Sequence, residues 1–218
     1  MKKIIFFLLA GFSLQSFAQA TMLPSGQPVS QTTLFDNGWR FHRGGAQGAE
    51  MMRFDDSGWR KIDLPHDWSI EDLSGSESPF DPGAISQVSG GFTVGGTGWY
   101  RKTFTIPPGH KDKTIRILFE GIYMNALIWL NGELLGNHPY GYTSFRFDLS
   151  GKIRFGEENV LAVKVMNEGQ NSRWYTGSGI YRHVWLTVQE PVHVAPWGIS
   201  VTTPQVSAEA AKVHVKTR

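Results

Sequence analysis

The chain has 218 residues and a formal net charge of +2, with 25 glycines, 13% aromatic residues, 18% charged residues and no cysteine. This length suits one domain, or one domain and part of another, and it excludes a (β/α)8 barrel of about 250 residues. The glycine and aromatic content with so few charges excludes a coiled coil and a disordered tail. Without cysteine, disulfides and a thiol nucleophile are excluded as well.

The first twenty residues have the pattern of a signal peptide. Lys2 and Lys3 precede a short apolar run over residues 4–12, and Ala18 or Ala20 then offers a cleavage site. The run is too short to cross a bilayer, which takes about 20 residues. We therefore expect an exported protein, periplasmic or extracellular, whose mature part has no membrane span.

Removal of the signal peptide changes the charge balance. Loss of Lys2 and Lys3 reduces the 21 basic residues to 19, which equals the 19 acidic residues. A neutral chain lacks the basic face that nucleic-acid binding requires. We therefore expect no nucleic-acid partner.

Short strands are predicted along the rest of the chain. Strand patterns cover residues 100–106, 114–120, 160–166 and 184–188, and the last three alternate apolar and polar residues, which is the period of a strand. Residues 126–130 form a continuous apolar run, as expected of a strand covered on both faces. No segment shows a helical period over ten residues, so the residues predict an all-β sandwich or barrel.

Turns and loops separate these strands. Asn131-Gly132 directly follows a strand and predicts a type I′ hairpin turn, which needs positive φ at both residues. Residues 71–98 are rich in glycine, proline and serine and are predicted to be a long non-strand loop. From Pro191 onward the pattern of short strands restarts after a linker, with strands predicted over residues 198–203 and 212–216.

Sequence motifs predict neither a metal site nor a cofactor site. The seven histidines are scattered, so they lack the spacing of zinc ligands. Gly95, Gly96 and Gly98 are not followed by the Lys-Ser/Thr pair of a phosphate-binding loop. Ser178 lacks the glycine two residues before it that a nucleophile elbow needs.

Three groups of acidic residues could be mistaken for a catalytic pair. The adjacent acids at residues 55–56 and 157–158 are interpreted as solvated turn residues. Glu168 follows Asn167 at a strand end, as a glycosidase acid does, but hydrolysis needs a second carboxylate at about 5–9 Å in a cleft. No obvious partner exists, so we predict no catalytic residue in this chain.

Residues 171–186 (NSRWYTGSGIYRHVWL) concentrate side chains suited to sugar binding. Asn171 and Arg173 can make directional hydrogen bonds to hydroxyl groups. Trp174 offers a flat face for the C–H side of a pyranose. The residue types alone nevertheless favour the alternative, in which Trp174 and Tyr175 lie in the core and the glycines are turn residues.

This segment resembles the one that closes the N-terminal sugar-binding domain of glycoside hydrolase family 2, which includes β-galactosidases, β-glucuronidases and β-mannosidases. The resemblance extends over residues 34–190. Its further motifs, in order, are FDDSGW at 54–59, LPHDW at 64–68, GWYRK at 98–102, FEG at 119–121, WLNG at 129–132 and YGYTSF at 140–145.

The resemblance implies a division of the chain. It predicts a signal peptide at residues 1–20, a lead-in segment at 21–33, a jelly-roll β-sandwich resembling galactose-binding domains at 34–190, and the start of an immunoglobulin-like β-sandwich at 191–218. In the family, both catalytic glutamates lie on a later barrel that nothing in this chain matches. The chain is therefore expected to bind carbohydrate, to require that downstream barrel as a partner, and to be inactive alone.

The resemblance also implies which residues contact the sugar. Asn171 matches an acidic or amide side chain that reaches sugar hydroxyls in the family, with Arg173 and Trp174 beside it. A second contact comes from the loop before the GWYRK strand, where we expect the backbone of Gly90 and Gly91. Asp67 is expected to hold structure rather than sugar. A stand-alone carbohydrate-binding or interaction module without hydrolase activity is the alternative.

Overall fold

The structure is a computed structural model that describes residues 30–169 and 177–218. In these residues the chain forms twelve β-strands and three single-turn 3-10 segments. The strands are β1 Ser30–Leu34, β2 Trp39–Arg43, β3 Arg60–Ile62, β4 Gly96–Thr105, β5 Thr114–Phe119, β6 Ala126–Leu130, β7 Glu133–His138, β8 Phe145–Asp148, β9 Glu158–Asn167, β10 Val184–Gln189, β11 Ile199–Val206 and β12 Ala211–Thr217. The 3-10 segments are Trp68–Ile70, Val88–Gly90 and Pro108–His110.

Strands β1 to β10 form two facing antiparallel sheets. One has the order β3-β2-β4-β9-β6-β7 and the other β1-β10-β5-β8. From β4 to β6 and from β7 to β10 the chain crosses between the sheets, so strands that follow one another in sequence pack face to face. This confirms the all-β class and the jelly-roll sandwich that the resemblance implied.

The core lies between the sheets and is filled by the alternating side chains that the sequence pattern picks out. Ile115, Ile117 and Phe119 of β5 are fully buried, and so are Leu161 and Val163 of β9. Burial of such a side chain stabilises the fold by about 1.5–3 kcal/mol. The predicted inward faces are therefore confirmed.

Strand β6 is covered on both faces, but unequally. Its inward residues Ala126, Ile128 and Leu130 are fully buried, whereas the outward residues between them are half-buried. On the outer face, Trp129 stacks on Trp99 of β4, with ring centroids 5.5 Å apart. The continuous apolar run thus reflects a core on one side and an aromatic cover on the other.

The Asn131-Gly132 turn joins β6 to β7 as predicted. Both residues have positive φ, 56° and 87°, which a type I′ turn requires. The Asn131 side chain also ties the turn to β9, since its Oδ1 accepts from Val160 N at 2.9 Å and its Nδ2 donates to Asn159 Oδ1 at 2.9 Å. The turn is therefore held by side-chain bonds as well as by its own backbone.

One predicted boundary differs from the structure, and one strand was not predicted. Strand β4 begins at Gly96, which pairs with Asn167, so the predicted loop over residues 71–98 is wrong for its last three residues. Strand β1 begins at Ser30, inside the predicted lead-in segment, and pairs with β10. Its five residues are all exposed and mostly polar, so they carry no alternating pattern that would predict a strand.

The two last strands form a separate hairpin. β11 and β12 pair only with each other among the described residues, and all their residues are exposed. Strand β11 continues beyond the predicted end at residue 203 and includes Pro204. The pairing register with β12 shifts between Thr202 and Gln205, on either side of this proline. Such an irregularity accommodates a residue that has no N–H to donate. That this hairpin begins an immunoglobulin-like domain stays a prediction.

Candidate functional site

The sequence places its main sugar contacts, Asn171, Arg173 and Trp174, in one segment. These three residues lie outside the described residues, because residues 170–176 are not described. The structure does describe both flanks, the end of β9 at Asn167 and the backbone from Gly177 onward. The candidate site is therefore built from the groups that hold these flanks.

Four polar side chains hold the flanks together, and we call Asp67, Ser69, Asn167 and Ser178 the anchor cluster. Asp67 Oδ1 accepts from Ser69 N and from Ser178 N, both at 2.8 Å. Ser178 Oγ accepts from Ser69 Oγ at 2.7 Å and from Asn167 Nδ2 at 2.8 Å. Asn167 Nδ2 also donates to Gly177 O at 3.3 Å. The two flanks of segment 170–176 are thereby bonded to each other, and the flank at Ser178 is bonded to the turn at Asp67.

Three of the four anchor residues are buried and Asp67 is half-buried, so water cannot readily replace their hydrogen bonds. Ser69, Ser178 and Asn167 are 1%, 0% and 7% exposed. A buried polar group that loses its partner costs about 1–3 kcal/mol, so alternative arrangements of the cluster are disfavoured. Asp67 bonds two backbone amides, that of Ser69 at the first turn of a 3-10 segment and that of Ser178. That Asp67 holds structure rather than sugar stays a prediction.

Two glycines of the TGSG sequence are required by close packing. A Cβ on Gly177 would lie 2.0 Å from Asp67 Oδ2. A Cβ on Gly179 would lie 2.3 Å from Tyr100 Oη, and Gly179 has a positive φ of 134°. These glycines therefore let the chain approach the turn at Asp67 closely, which agrees with the structural interpretation of the glycines.

A hydrogen-bonded chain behind the anchor cluster fixes the LPHDW turn. His66 Nδ1 lies 2.7 Å from Tyr100 Oη, and Arg60 donates to His66 Nε2 at 2.8 Å and to Glu71 Oε1 at 2.6 Å. Burial lowers the pKa of His66 and raises that of Tyr100 well above its usual value. Both groups are therefore neutral at pH 7, and Trp68, which is 1% exposed, packs beside them.

The loop that contains Gly90 and Gly91 is closed on itself. Gly90 N donates to Ser86 O at 3.0 Å, and Gly91 N donates to Val88 O at 3.2 Å. A Cβ on Gly90 would lie 2.5 Å from the Ser86 Cβ, and Gly91 has a positive φ of 66°. Their N–H groups are thus used within the loop, and a sugar contact from Gly90 or Gly91 stays a prediction.

The structure shows the contacts of two acidic residues that the sequence analysis interpreted as non-catalytic. Glu168 accepts from the Thr97 hydroxyl and lines a cleft of about 260 Å³ with Asn125 and Asn137. Glu157 pairs with Arg154 at 2.7 Å on the surface, as a solvated turn residue would.

Asp56 differs from the expected solvated acid. Its Oδ2 accepts from Arg101 Nε at 2.8 Å, and Arg101 is only 2% exposed. The sequence does not predict this pair, because the two residues are far apart along the chain and lie on different elements. Asp56 therefore has a structural role, holding a buried cation.

Sequence reasoning also missed the anchor role of Asn167 and Ser178. The signal available was a polar side chain at each end of the predicted sugar-binding segment, one closing a strand and one between two glycines. Among residues 30–169 and 177–218, no group of three or more His, Asp or Glu side chains is placed to hold a metal ion. In the same part of the chain, no helix has the length and apolarity needed to span a bilayer.

Comparison with known proteins identifies the domain. A family model described as "Glycosyl hydrolases family 2, sugar binding domain" matches residues 60–191. Beta-galactosidase BoGH2A of Bacteroides ovatus is 47% identical over 184 residues, covering 84% of this chain and 21% of that protein. A beta-glucuronidase of Formosa agariphila is 30% identical over 210 residues, covering 84% of this chain and 20% of that protein.

Solved structures agree with the sequence relatives. The crystal structure of a glycosyl hydrolase family 2 member from Bacteroides cellulosilyticus superimposes with a TM-score of 0.81 and 55% identity. It covers 85% of this chain and 24% of that one. The chain thus spans about a fifth to a quarter of the length of these relatives. The chain belongs to glycoside hydrolase family 2, and residues 60–191 are its sugar-binding domain.

Proposed function

We propose that this chain is the N-terminal sugar-binding portion of an exported family 2 β-galactosidase. The observation that carries the proposal is the family match over residues 60–191. Galactose as the sugar is supported by the 47% identity to the β-galactosidase of Bacteroides ovatus, against 40% for a putative β-glucuronidase of Formosa agariphila.

In this proposal, the chain shapes one edge of the pocket for the terminal sugar, and a downstream barrel performs the chemistry. Retaining hydrolysis needs two carboxyl groups about 5–5.5 Å apart, one as the nucleophile and one as the acid and base. The barrel supplies both. This chain supplies hydrogen bonds from Asn171 and Arg173 and an aromatic face from Trp174, with backbone contact at Gly90 and Gly91.

The anchor cluster supports this role. Sugar hydroxyls are recognised by directional hydrogen bonds, and a shift of about 1 Å in a binding group can cost a hundredfold in rate. The buried bonds of Asp67 and Asn167 to the backbone on the far side of residues 170–176 restrict where that segment can lie. A site held in this way suits substrate positioning.

One edge of a pocket binds a sugar weakly when it acts alone. Association costs translational and rotational freedom in full, whereas half of a pocket makes only part of the contacts. We therefore expect the 218-residue chain to bind galactose weakly and not to hydrolyse β-galactosides. A stand-alone carbohydrate-binding module would instead bind galactose with a dissociation constant in the micromolar to millimolar range.

Assays on chromogenic substrates test the proposal. The 218-residue chain and a longer parent that continues into a family 2 barrel are compared on β-galactosides and β-glucuronides. We expect turnover by the parent only, with β-galactosides preferred. Turnover by the short chain at the rate of the parent, or a parent specific for β-glucuronides, would refute it. N-terminal sequencing of the secreted protein tests cleavage after Ala18 or Ala20.

A substitution at Asn171 tests the edge of the pocket. In the parent, Asn171→Ala is expected to raise KM for the β-galactoside about tenfold with little change in thermal stability, because it removes hydrogen bonds made to substrate. Asn37→Ala is the matched control, since Asn37 is an exposed asparagine in a surface turn. An unchanged KM together with a lower melting temperature would show that Asn171 is structural.

A further inference from the structure

A second cleft lies on the outer face of the four-stranded sheet. Its volume is about 450 Å³, within the range of about 300–1,000 Å³ typical of small-molecule sites. Among the described residues, its lining includes no member of the anchor cluster and neither Gly90 nor Gly91. The cleft is therefore a separate feature from the terminal-sugar site.

One row of the cleft floor consists of polar side chains that lie opposite one another on neighbouring strands. Thr32 of β1 lies opposite Thr187 of β10, which lies opposite Arg116 of β5. Residues opposite each other across antiparallel strands project from the same face, so these three side chains form a row. The two threonine hydroxyls lie 3.2 Å apart. The row presents hydroxyls beside a guanidinium, a combination that hydrogen-bonds polar ligands.

The second row adds an aromatic face and another cation. Trp185 of β10 lies opposite Leu118 of β5, which lies opposite Arg146 of β8. The Trp185 indole is fixed in orientation, since its Nε1 donates to Glu120 Oε1 at 2.8 Å. A fixed, half-buried indole is a preformed surface for the apolar face of a sugar ring.

A wall of the cleft comes from the segment after β10. Pro196 and Trp197 line it, and Trp197 is 73% exposed. The Arg146 guanidinium lies 4.5 Å from the centroid of the Trp197 ring. Stacking on the ring orients the planar guanidinium while leaving its N–H edges open to an acceptor.

The two arginines differ in how much of their charge is already used. Arg116 donates to Gln189 Oε1 at 3.3 Å and to His193 Nε2 at 2.7 Å, and its Nε lies 3.8 Å from Asp148 Oδ2. The Arg146 guanidinium makes no hydrogen bond or ion pair within the described part of the chain. No acidic residue lines the cleft. Arg146 is therefore the cation available to a carboxylate.

We propose that this cleft binds a hexuronic acid, with its carboxylate on Arg146 and its pyranose ring against Trp185 and Trp197. Guanidinium and carboxylate match in geometry and form paired, charge-assisted hydrogen bonds. The hydroxyls of Thr32 and Thr187 lie on the same floor and can bond the sugar hydroxyls. The ligand is one sugar unit with a carboxylate, held by an anion contact and a stacking contact together.

Nuclear magnetic resonance titration of the complete 218-residue chain at low ionic strength tests this proposal. The indole N–H signals of Trp185 and Trp197 report the cleft directly. D-glucuronate is expected to shift both signals saturably, with a dissociation constant in the millimolar range. D-glucose and acetate each supply one half of the recognition, and each is expected to bind at least about tenfold more weakly.

Variants separate the two halves of the site. Arg146→Gln is expected to weaken glucuronate binding at least about tenfold and to bring it close to glucose binding. Arg154→Gln is the matched control, because Arg154 is an exposed arginine that does not line the cleft. Trp197→Ala is expected to weaken glucuronate and glucose binding alike, and to leave the fold intact because Trp197 is 73% exposed.

Three results would overturn the proposal. They are the absence of a saturable shift with glucuronate, equal affinity for acetate or glucose, and unchanged affinity in Arg146→Gln. None of them bears on the terminal-sugar site, whose test is the KM of Asn171→Ala in the parent. The two proposals can therefore fail separately.

Discussion

Replacement of Arg101 by methionine tests whether Asp56 is a structural residue. Arg101 is 2% exposed, and its guanidinium donates to the Asp56 carboxylate at 2.8 Å, to the Ala49 carbonyl and to the Met51 carbonyl at 3.0 Å. Arg101→Met removes the cation and leaves these acceptors without their donor. Loss of one partner of a buried ion pair costs about 3–5 kcal/mol.

That loss is large compared with the stability of a domain. Domains of this size unfold with a free energy of about 5–15 kcal/mol, and each kcal/mol shifts the melting temperature by about 2–4 °C. We therefore expect Arg101→Met to lower the melting temperature by about 6–20 °C. Urea denaturation followed by tryptophan fluorescence gives the free energy of unfolding directly, and the m-value should stay constant.

The matched control is Arg154→Met. Arg154 also pairs with a carboxylate, that of Glu157 at 2.7 Å, but its side chain is 48% exposed. Exposed ion pairs contribute about 0.2–1 kcal/mol, because water and salt screen them. If Arg101→Met destabilised the domain no more than Arg154→Met, the structural role assigned to Asp56 would be wrong.

Two further predictions concern the anchor cluster and the edge of the sandwich. Gly177→Ala is expected to destabilise the domain by about 1–3 kcal/mol in urea denaturation, since its Cβ would lie 2.0 Å from Asp67 Oδ2. Gly58→Ala is the control, because a Cβ on Gly58 meets nothing within 4 Å and should change the stability little. Equal effects of the two variants would contradict the close packing at Gly177. The hydrogen bond from His183 to Asp36, 2.6 Å long, raises the pKa of His183 in the folded state. The stabilisation that this bond gives the fold is therefore present below the unfolded pKa of about 6.5 and is lost as the pH rises through the folded pKa. The stability difference between the wild type and His183→Ala should shrink between pH 6 and 8, measured by urea denaturation, and a pH-independent difference would refute the assignment.

The sequence predicts well those strands that bury one face in the core. Residues 114–120, 160–166 and 184–188 alternate because every second side chain enters the core, and the structure places strands there within two residues of the predicted ends. The Asn131-Gly132 turn is equally local, since its signal is the positive φ of two adjacent residues.

Edge strands and long-range polar pairs were not predictable in the same way. Strand β1 is exposed along its whole length, so it is defined by its hydrogen bonds to β10 and not by a hydrophobic pattern. In the sequence, Arg101 is a single basic residue within a predicted strand. Only the fold brings its guanidinium to Asp56 and to the carbonyls near residue 50. Local periodicity contains no information about such partners.

The same limit applies to the sugar site, and it decides how its variants should be interpreted. Asn171 and Arg173 are predicted from their chemistry, but their flanks are positioned by Asp67 and Ser178, which touch backbone and other anchor groups. Removal of an anchor group is therefore expected to change stability and substrate affinity together, because the proposed contacts lie between the flanks that it holds. Removal of a contact changes KM alone. Comparing the two kinds of variant in the parent distinguishes residues that bind the sugar from residues that hold the binding segment in place.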